Sequence, residues 1–339
     1  MRKKIVLLVG MIVLMNTVFL SGCGKRHTEP SKKIHVGVTY YNQSDTFLNE
    51  LLGDFKESLK ELEDDQMRTS MTILDAAGSQ RTQDDQVKEL IDMGCDVLCV
   101  NLVDRADPSE IIDLARENNI PIIFFNREPV AEDLSQWEEL YYIGAEAKQS
   151  GIMQGELAAQ MILSEEQIDR NKDGKIQYVV LEGEAGHQDS IIRTRSAVET
   201  LQNSGVVLEK ISYQIANWNR VQAQNRMEQM LEQYQTKIEL VLANNDDMAL
   251  GAIDAYKKAN YTESAWPVFF GIDGTKLGLK ALADGDLAGT VYNDKEGQAK
   301  MMAEMVKEVG TGKEIEKKYI YLPYVKVTNE NVKEFMEEE

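Results

Sequence analysis

Short, largely apolar segments alternate with amphipathic stretches along this chain, and the alternation runs through twice. Ile34–Tyr40, Met71–Leu74, Asp96–Val100 and Pro121–Phe125 are the apolar segments of the first run. Between them Leu48, Leu51, Leu52, Phe55, Leu59 and Leu62 recur at helical spacing, as do Val87, Leu90 and Ile91. Asp107-Pro108-Ser109-Glu110 reads as a helix start, with an acid at the cap, proline at N1 and Glu at N3. Strands that lack polar alternation must be covered on both faces, and the intervening helices supply that cover. The pattern predicts a parallel sheet wound on both sides.

After Tyr141-Tyr142-Ile143-Gly144 the pattern restarts. A helix over 147–163 precedes strands at 176–181, near Val206, at 238–243, at 268–272 and at 289–291. Helices are expected after Asp189 and Trp218, over 248–257 and from about Gly297. A chain of 339 residues exceeds one usual core, so two lobes are expected, each an α/β doubly wound parallel sheet.

The N-terminus reads as a targeting segment. Arg2, Lys3 and Lys4 precede an apolar run from Ile5 to Leu20, which ends in Leu20-Ser21-Gly22-Cys23. Small residues before a cysteine look like a bacterial lipobox, and the run is short for a membrane span. The expectation is a signal peptide over 1–22, lipidation at Cys23 and a polar tether to residue 33, leaving membrane contact only through the lipid. The formal net charge of −20 argues against nucleic acid or anionic lipid as a partner. Cys95 and Cys99 flank three strand residues, about 13 Å apart if extended, too far for a disulfide. Two buried thiols are expected.

In doubly wound sheets ligands sit at the carboxyl ends of strands. The residues there share a character: Asp45 and Phe47, Asn126-Arg127-Glu128, the stretch His187 to Arg193, Asn244-Asn245-Asp246-Asp247, Asp273, and Asn293-Asp294. Carboxylates, amides and aromatics dominate, with no glycine-rich phosphate loop and no basic cluster. Planar Asp, Asn and Arg groups bridge adjacent hydroxyls, and aromatic rings pack on the C–H faces of a pyranose. The inventory suits a neutral polyol, although Asn and Asp at strand ends also serve as helix caps.

Asp169-Arg170-Asn171-Lys172-Asp173-Gly174-Lys175-Ile176-Gln177 has oxygen-bearing side chains at alternate positions and glycine at the turn, as in an EF-hand loop. The bidentate acid is missing, because its position is Val180. Either this is a solvated acidic turn or the acid comes from elsewhere in the chain.

Several stretches together carry a resemblance: Val36-Gly37-Val38-Thr39, Asn101-Leu102-Val103-Asp104, Phe124 to Pro129, Asn171-Lys172-Asp173-Gly174, Gly183 to His187, Ala243 to Asp246 and Ala288 to Val291. In this order, from about Lys33 to Glu337, the chain resembles the periplasmic galactose/glucose-binding proteins. The resemblance implies a two-lobed type I periplasmic-binding-protein fold with a three-segment hinge. It implies lobes over 34–144 plus 294–322 and over 145–293 plus 323–339. It also implies a sugar site of Asp45, Phe47, Asn126, His187, Asp189, Arg193, Trp218, Asn245, Asp273 and Asn293. Phe47 and Trp218 would sandwich the pyranose, and Asp45 would meet the hydroxyl that differs between glucose and galactose. Gln188 and Glu146 depart from the family's proline and aspartate, and Asp246-Asp247 would add charge near the site. The missing loop acid is matched by Glu239. With Asp169, Asn171, Asp173, the Lys175 carbonyl and Gln177, it makes about seven oxygens for a structural calcium.

The function this implies is a lipid-anchored, monomeric solute-binding protein, not an enzyme. It would capture glucose, galactose or a methyl galactoside by lobe closure for an ABC transporter permease. The alternative is a sugar sensor that feeds a chemoreceptor or histidine kinase. A repressor of the same fold would need a basic helix-turn-helix before the first strand, where the lipobox and tether lie. An enzyme would need more than His187 beside Asp189 or Asp45 opposite Asp273, since no activated-nucleophile motif accompanies them.

Overall fold

A computed structural model describes residues 32–336 except 66, 314 and 316. The expected leader, Cys23 and nearly all of the tether lie outside the described residues.

The first sheet has six strands in the order β11-β5-β4-β3-β1-β2, all parallel. These are β1 (Lys32–Tyr40), β2 (Met67–Asp75), β3 (Val97–Val100), β4 (Ile122–Phe125), β5 (Leu140–Ala145) and β11 (Tyr319–Leu322). Strands β3 and β4 are buried at every residue, as their continuous apolar sequence requires. Helices α1 (Thr46–Glu61), α2 (Gln80–Asp92), α3 (Ser109–Glu117) and the short α4 (Ala131–Leu134) connect them. Strand β1 begins at Lys32, inside the expected tether, because it pairs with β2 from Lys32↔Met67 onward.

The second sheet runs β7-β6-β8-β9, also parallel, from β6 (Ile176–Glu182), β7 (Leu208–Ile215), β8 (Leu240–Ala243) and β9 (Val268–Phe270). Isolated bridges at Phe270↔Gly289 and Asp273↔Tyr292 carry it on to β10 (Thr290–Asn293), which pairs antiparallel with β12 (Tyr324–Val327). Helices α5 (Ala147–Ser164), α6 (Gln188–Asn203), α7 (Arg220–Tyr234), α8 (Asp246–Lys258) and α9 (Lys276–Asp284) surround it. Helix α10 (Lys295–Gly310) returns to pack on α1 of the first lobe.

The two-lobed α/β fold expected from the sequence is the fold the chain adopts. The chain crosses between sheets three times: from β5 into α5, from β10 into α10, and from β11 into β12. Two local expectations change. Helix α3 starts at Ser109 with Pro108 at the cap position and no side-chain cap bond, so Asp107 does not cap it. The strand expected near Val206 is the longer β7, shifted toward the C-terminus by a turn in which the Val206 N–H donates to the Leu201 carbonyl. Cys95 and Cys99 are free and buried, as expected, and burial pushes the Cys95 thiol up to about 11.

Candidate functional site

In each sheet the chain reverses its winding direction once, between β1 and β3 and between β6 and β8. Connections leave toward opposite faces there, so a crevice opens at the carboxyl ends. Backbone groups uncovered by the divergence need partners, and a buried asparagine supplies them in both lobes. Asn101 Oδ1 accepts from the Tyr41 N–H (3.3 Å), and its amide donates to the Phe125 carbonyl (3.1 Å). Asn244 Oδ1 accepts from the Gly183 N–H (3.2 Å) in the same way.

The two crevices face one another across a small cavity. Asp45, Phe47, Asn126 and Arg127 line it from the first lobe. From the second lobe come His187, Asp189 and Arg193 of the α6 region, with Trp218, Asn245 and Asp273. Nine of the ten residues expected at a sugar site line this one cavity. Asn293 is the exception: it is buried at the end of β10, and its Oδ1 accepts from Gln298 Nε2 (2.7 Å).

The choice between cap and ligand group, open in the sequence, dissolves in the structure. Asp45 Oδ1 caps α1 by accepting from the Leu48 N–H (2.9 Å), while Oδ2 accepts from the Tyr41 hydroxyl (2.6 Å). Asn245 Oδ1 caps α8 through the Met248 N–H (2.9 Å), and its amide donates to the Trp218 carbonyl (3.3 Å). His187 Nδ1 accepts from the Asp189 N–H at the start of α6 (3.2 Å). Capping fixes these side chains at the cavity wall without removing them from it.

That last bond decides the chemistry of His187. Burial, reinforced by Arg127, Arg193 and Arg105, pulls its imidazole down to about 2, so the ring is neutral. With Nδ1 accepting, the proton resides on Nε2, which is buried and has no hydrogen-bond partner among the described residues. Arg193 presents a second such donor. Its terminal nitrogens donate to the Asn244 carbonyl (2.8 Å), Asp273 Oδ1 (3.4 Å) and the Tyr324 hydroxyl (3.1 Å). Its Nε has no partner among the described residues. Burial works against its charge, but Tyr324, Asp273 and Asp189 outweigh it and hold the guanidinium more firmly protonated. Burial raises the Asp189 and Asp273 carboxyls despite Arg193.

Trp218 stands edge-on to His187, ring centroids 5.5 Å apart, with the Arg193 guanidinium 5.7 Å from its ring centre. A side chain at Gly183 would place its Cβ 2.3 Å from that ring, so only glycine leaves room for it. The backbone is strained at three lining residues, with φ of +59° at Asn126, +59° at Trp218 and +116° at Asp273. Such values in non-glycine residues cost roughly 1–3 kcal/mol each and cluster where a side chain must point one way.

Arg127, one of the strand-end residues singled out in the sequence, was not in the sugar site that the resemblance implies. Its guanidinium lies 3.5 Å from the Tyr41 ring centre and pairs with Glu184 of the second lobe at 3.1 Å. The signal available in the sequence was a basic residue between Asn126 and Glu128 at a strand end otherwise rich in acids and amides. Further bonds cross the cleft: Thr46 Oγ1 donates to Asp247 (2.6 Å), Arg105 to Gln188, and the Lys276 N–H to Glu50 (3.1 Å). The expectation that Asp246-Asp247 adds charge near the site holds for Asp247, which bonds Thr46 across the cleft, and changes for Asp246. Asp246 is buried beneath it, accepting from Thr290 Oγ1 (2.6 Å) and the Thr275 N–H (2.9 Å), and burial raises its carboxyl to about 7. Neither residue lines the cavity.

A larger space of about 760 Å³ lies on the hinge side, whereas the cavity between the crevices measures about 30 Å³. The convergence of unpartnered donors, strained backbone and an aromatic ring, rather than volume, makes the smaller one the primary candidate.

The loop over 169–177 is a separate region of the second lobe. Gly174 has φ +77°, as the tight turn demands. Glu239, 62 residues beyond Gln177, reaches it: Oε2 accepts from the Gln177 N–H (3.1 Å) and Oε1 from the Arg170 N–H (2.7 Å). Asp169 accepts from the Gly174 N–H (2.9 Å), Asn171 Oδ1 from the Asp173 N–H (2.8 Å) and Asp173 from the Lys175 N–H (2.9 Å). Among the described residues no group of three or more His, Cys, Asp or Glu side chains stands in metal-ligating proximity. The donor set nonetheless fits a hard cation by its chemistry. It is all oxygen and includes three carboxylates, while Arg170 turns away to the Trp266 carbonyl (2.6 Å) and Lys175 pairs with Glu209 (3.6 Å).

The model of the periplasmic binding protein domain family matches residues 36–314. The D-galactose/methyl-galactoside binding periplasmic protein of Haemophilus influenzae is 32% identical, over 96% of this chain and 98% of its own length. A putative rhizopine-binding protein of Rhizobium meliloti is 32% identical over 78% of this chain and 82% of its own. Among solved structures, an ABC transporter solute binding protein from Bacillus halodurans with bound myo-inositol superposes with a TM-score of 0.76. It is 28% identical and covers 91% of this chain and 98% of that one.

Proposed function

We propose, from the premise that this chain belongs to the periplasmic binding protein domain family, that it captures a neutral hexose, glucose or galactose, outside the cytoplasm for an ABC transporter permease. One observation carries the reading: two buried N–H donors without partners, His187 Nε2 and Arg193 Nε, open beside the Trp218 ring in a cavity formed by both lobes. A hydroxylated ring supplies the missing acceptors, and its C–H face supplies what the indole packs against. Neutral His187 donates without adding charge, and the Arg193 charge is balanced by Asp273, so an uncharged solute loses nothing to repulsion. A family relative binding D-galactose or methyl galactoside favours a hexose over other polyols.

Capture proceeds by closure. Hydroxyls are freed from water at low cost only when both lobes offer partners, so ligand favours the closed arrangement. Arg127–Glu184 and Thr46–Asp247 help to hold that arrangement once it forms. Anchoring through lipidated Cys23 would keep the protein beside the permease. In the loop, Asp169, Asn171, Asp173, the Lys175 carbonyl, Gln177 and Glu239 would hold a calcium ion. Its contribution would be a cross-link between the loop and the residue preceding β8.

Calorimetric titration of the purified full chain with glucose, galactose, ribose and myo-inositol tests the reading. At least one of the two hexoses is expected to bind more tightly than ribose or inositol. Tight ribose or inositol binding with neither hexose bound would sink it.

A further inference from the structure

Asp273 lines the inner cavity and pairs with Arg193, and the three residues after it are each held by a distant side chain. The Gly274 carbonyl accepts from Lys295 Nζ (3.4 Å). The Thr275 N–H donates to Asp246 Oδ2 (2.9 Å), and the Lys276 N–H donates to Glu50 Oε1 (3.1 Å). Asp246 belongs to the second lobe, whereas Glu50 lies on α1 and Lys295 opens α10, which packs on α1. We propose that Glu50 and Lys295 are a clasp that grips the backbone over 274–276 when the lobes close and holds Asp273 in place for the solute. The clasp adds two positioning residues and rests on the reading of this chain as a solute-binding protein that closes.

Three observations carry it. The first is that the clasp is bipolar. Glu50 and Lys295 pair with each other at 3.5 Å, and the carboxylate meets an N–H while the ammonium meets a carbonyl of one short segment. Side chains already fixed by each other lose little freedom on gripping a third group. The second is that the gripped groups need such partners. Lys276 is the first residue of α9, where N–H groups have no acceptor within the helix and a negative charge is favoured. Lys295 is buried, so its charge requires Glu50 and also Glu296, which lies at 3.3 Å.

The third is stiffness where the segment joins the site. The backbone φ is +116° at Asp273 and +66° at Gly274, and a side chain at Gly274 would place its Cβ 2.5 Å from the Tyr292 ring. A turn held this way passes a displacement of 274–276 on to Asp273 instead of absorbing it. Neither Glu50 nor Lys295 lines the cavity, so the clasp acts through the closed fraction, and apparent affinity scales with that fraction.

The test is calorimetry on the purified full chain with glucose, galactose, ribose and myo-inositol, followed by variants titrated with the two that bind most tightly. Glu50→Ala should weaken both about tenfold, as loss of one hydrogen bond to a charged group does, and keep their ratio within about twofold. The number of sites per chain should not change. Glu50→Gln, whose amide oxygen still accepts from the Lys276 N–H, should stay within about threefold of the unchanged chain. If Glu50→Ala titrates fewer sites, Glu50→Asp replaces it: a carboxylate drawn back by one methylene should lose about fivefold. Affinity within about twofold of the unchanged chain for the deciding variant, a loss confined to one solute, or Gln as damaging as Ala overturns the clasp. Binding of ribose or inositol without either hexose brings down the hexose reading alone, and failure of all four brings down both.

Discussion

The cleft and the loop over 169–177 are built from the same few side chains, yet they satisfy them in different ways. In the loop, Asp169, Asn171, Asp173 and Glu239 turn onto backbone N–H groups within one lobe. In the cleft, Arg193, Asp273 and His187 are fixed by neighbours, but donors on Arg193 and His187 stay unpartnered. A region whose partners come from its own backbone stabilises a lobe. One with leftover donors between two lobes binds what can complete them, and its strained residues show that the arrangement is held by its surroundings.

If that contrast is correct, Trp218→Ala has the largest effect on one side of it. Hexose affinity should fall about 100-fold or more in calorimetry, because one face of the ring loses its packing surface at the centre of the site. The response of melting temperature to calcium should not change. Unaltered affinity would remove the indole from the binding site.

Arg193→Met asks whether the cleft also bears on folding. It leaves Asp273 buried without its cation, and urea denaturation should show a loss of about 3 kcal/mol. A loss no larger than that of a surface substitution would mean that the pair is incidental to stability.

Chelation tests the loop. Removing calcium should lower the melting temperature by about 5 °C and leave the ratio of galactose to glucose affinity unchanged. Glu239→Gln should blunt the chelator effect. A sample shown to contain calcium whose melting temperature ignores chelator would return the loop to a solvated turn, and a shifted sugar ratio would couple the two regions.

A further effect belongs to Asp246, beneath the cleft. Its carboxyl is raised by burial from the free value of 3.8 to about 7, so the fold favours the protonated form. Its stabilising contribution is complete below about pH 4 and is lost as pH rises toward 7. Asp246→Asn should flatten the stability profile across that window, since an amide can still accept from the Thr275 N–H and donate to Thr290 Oγ1. A profile as steep as that of the unchanged chain would assign the slope to other groups.

Much of the fold was legible because its signal is local. Apolar strands such as Val97–Val100 and Ile122–Phe125 announce burial on both faces, and Leu48, Leu51 and Phe55 declare the face of a helix. Boundaries read less well where a non-local pairing sets them, as at Lys32, which is a strand residue because Met67 lies beside it. At the site, Asp45, Asn245 and His187 were visible as strand-end polar residues, but their double role as cap and wall was not. Arg127 was visible as a strand-end residue, but its importance lies in Tyr41, packed against it within the first lobe, and in Glu184, which the second lobe brings across the cleft.

Residue order by itself determined the alternation of strands and helices, the two sheets, and the set of oxygen and aromatic groups at the strand ends. These depend on periodicity and on the chemistry of single side chains. Tertiary structure alone decided that Asp246 faces Thr275 and Thr290 instead of the cleft, and that Asn293 bonds Gln298 outside the cavity lining. It alone decided that Asp189 stands between a small cavity and a large one. Direction and shared walls depend on which distant segments pack together, and a pattern read along one chain carries no distance across it.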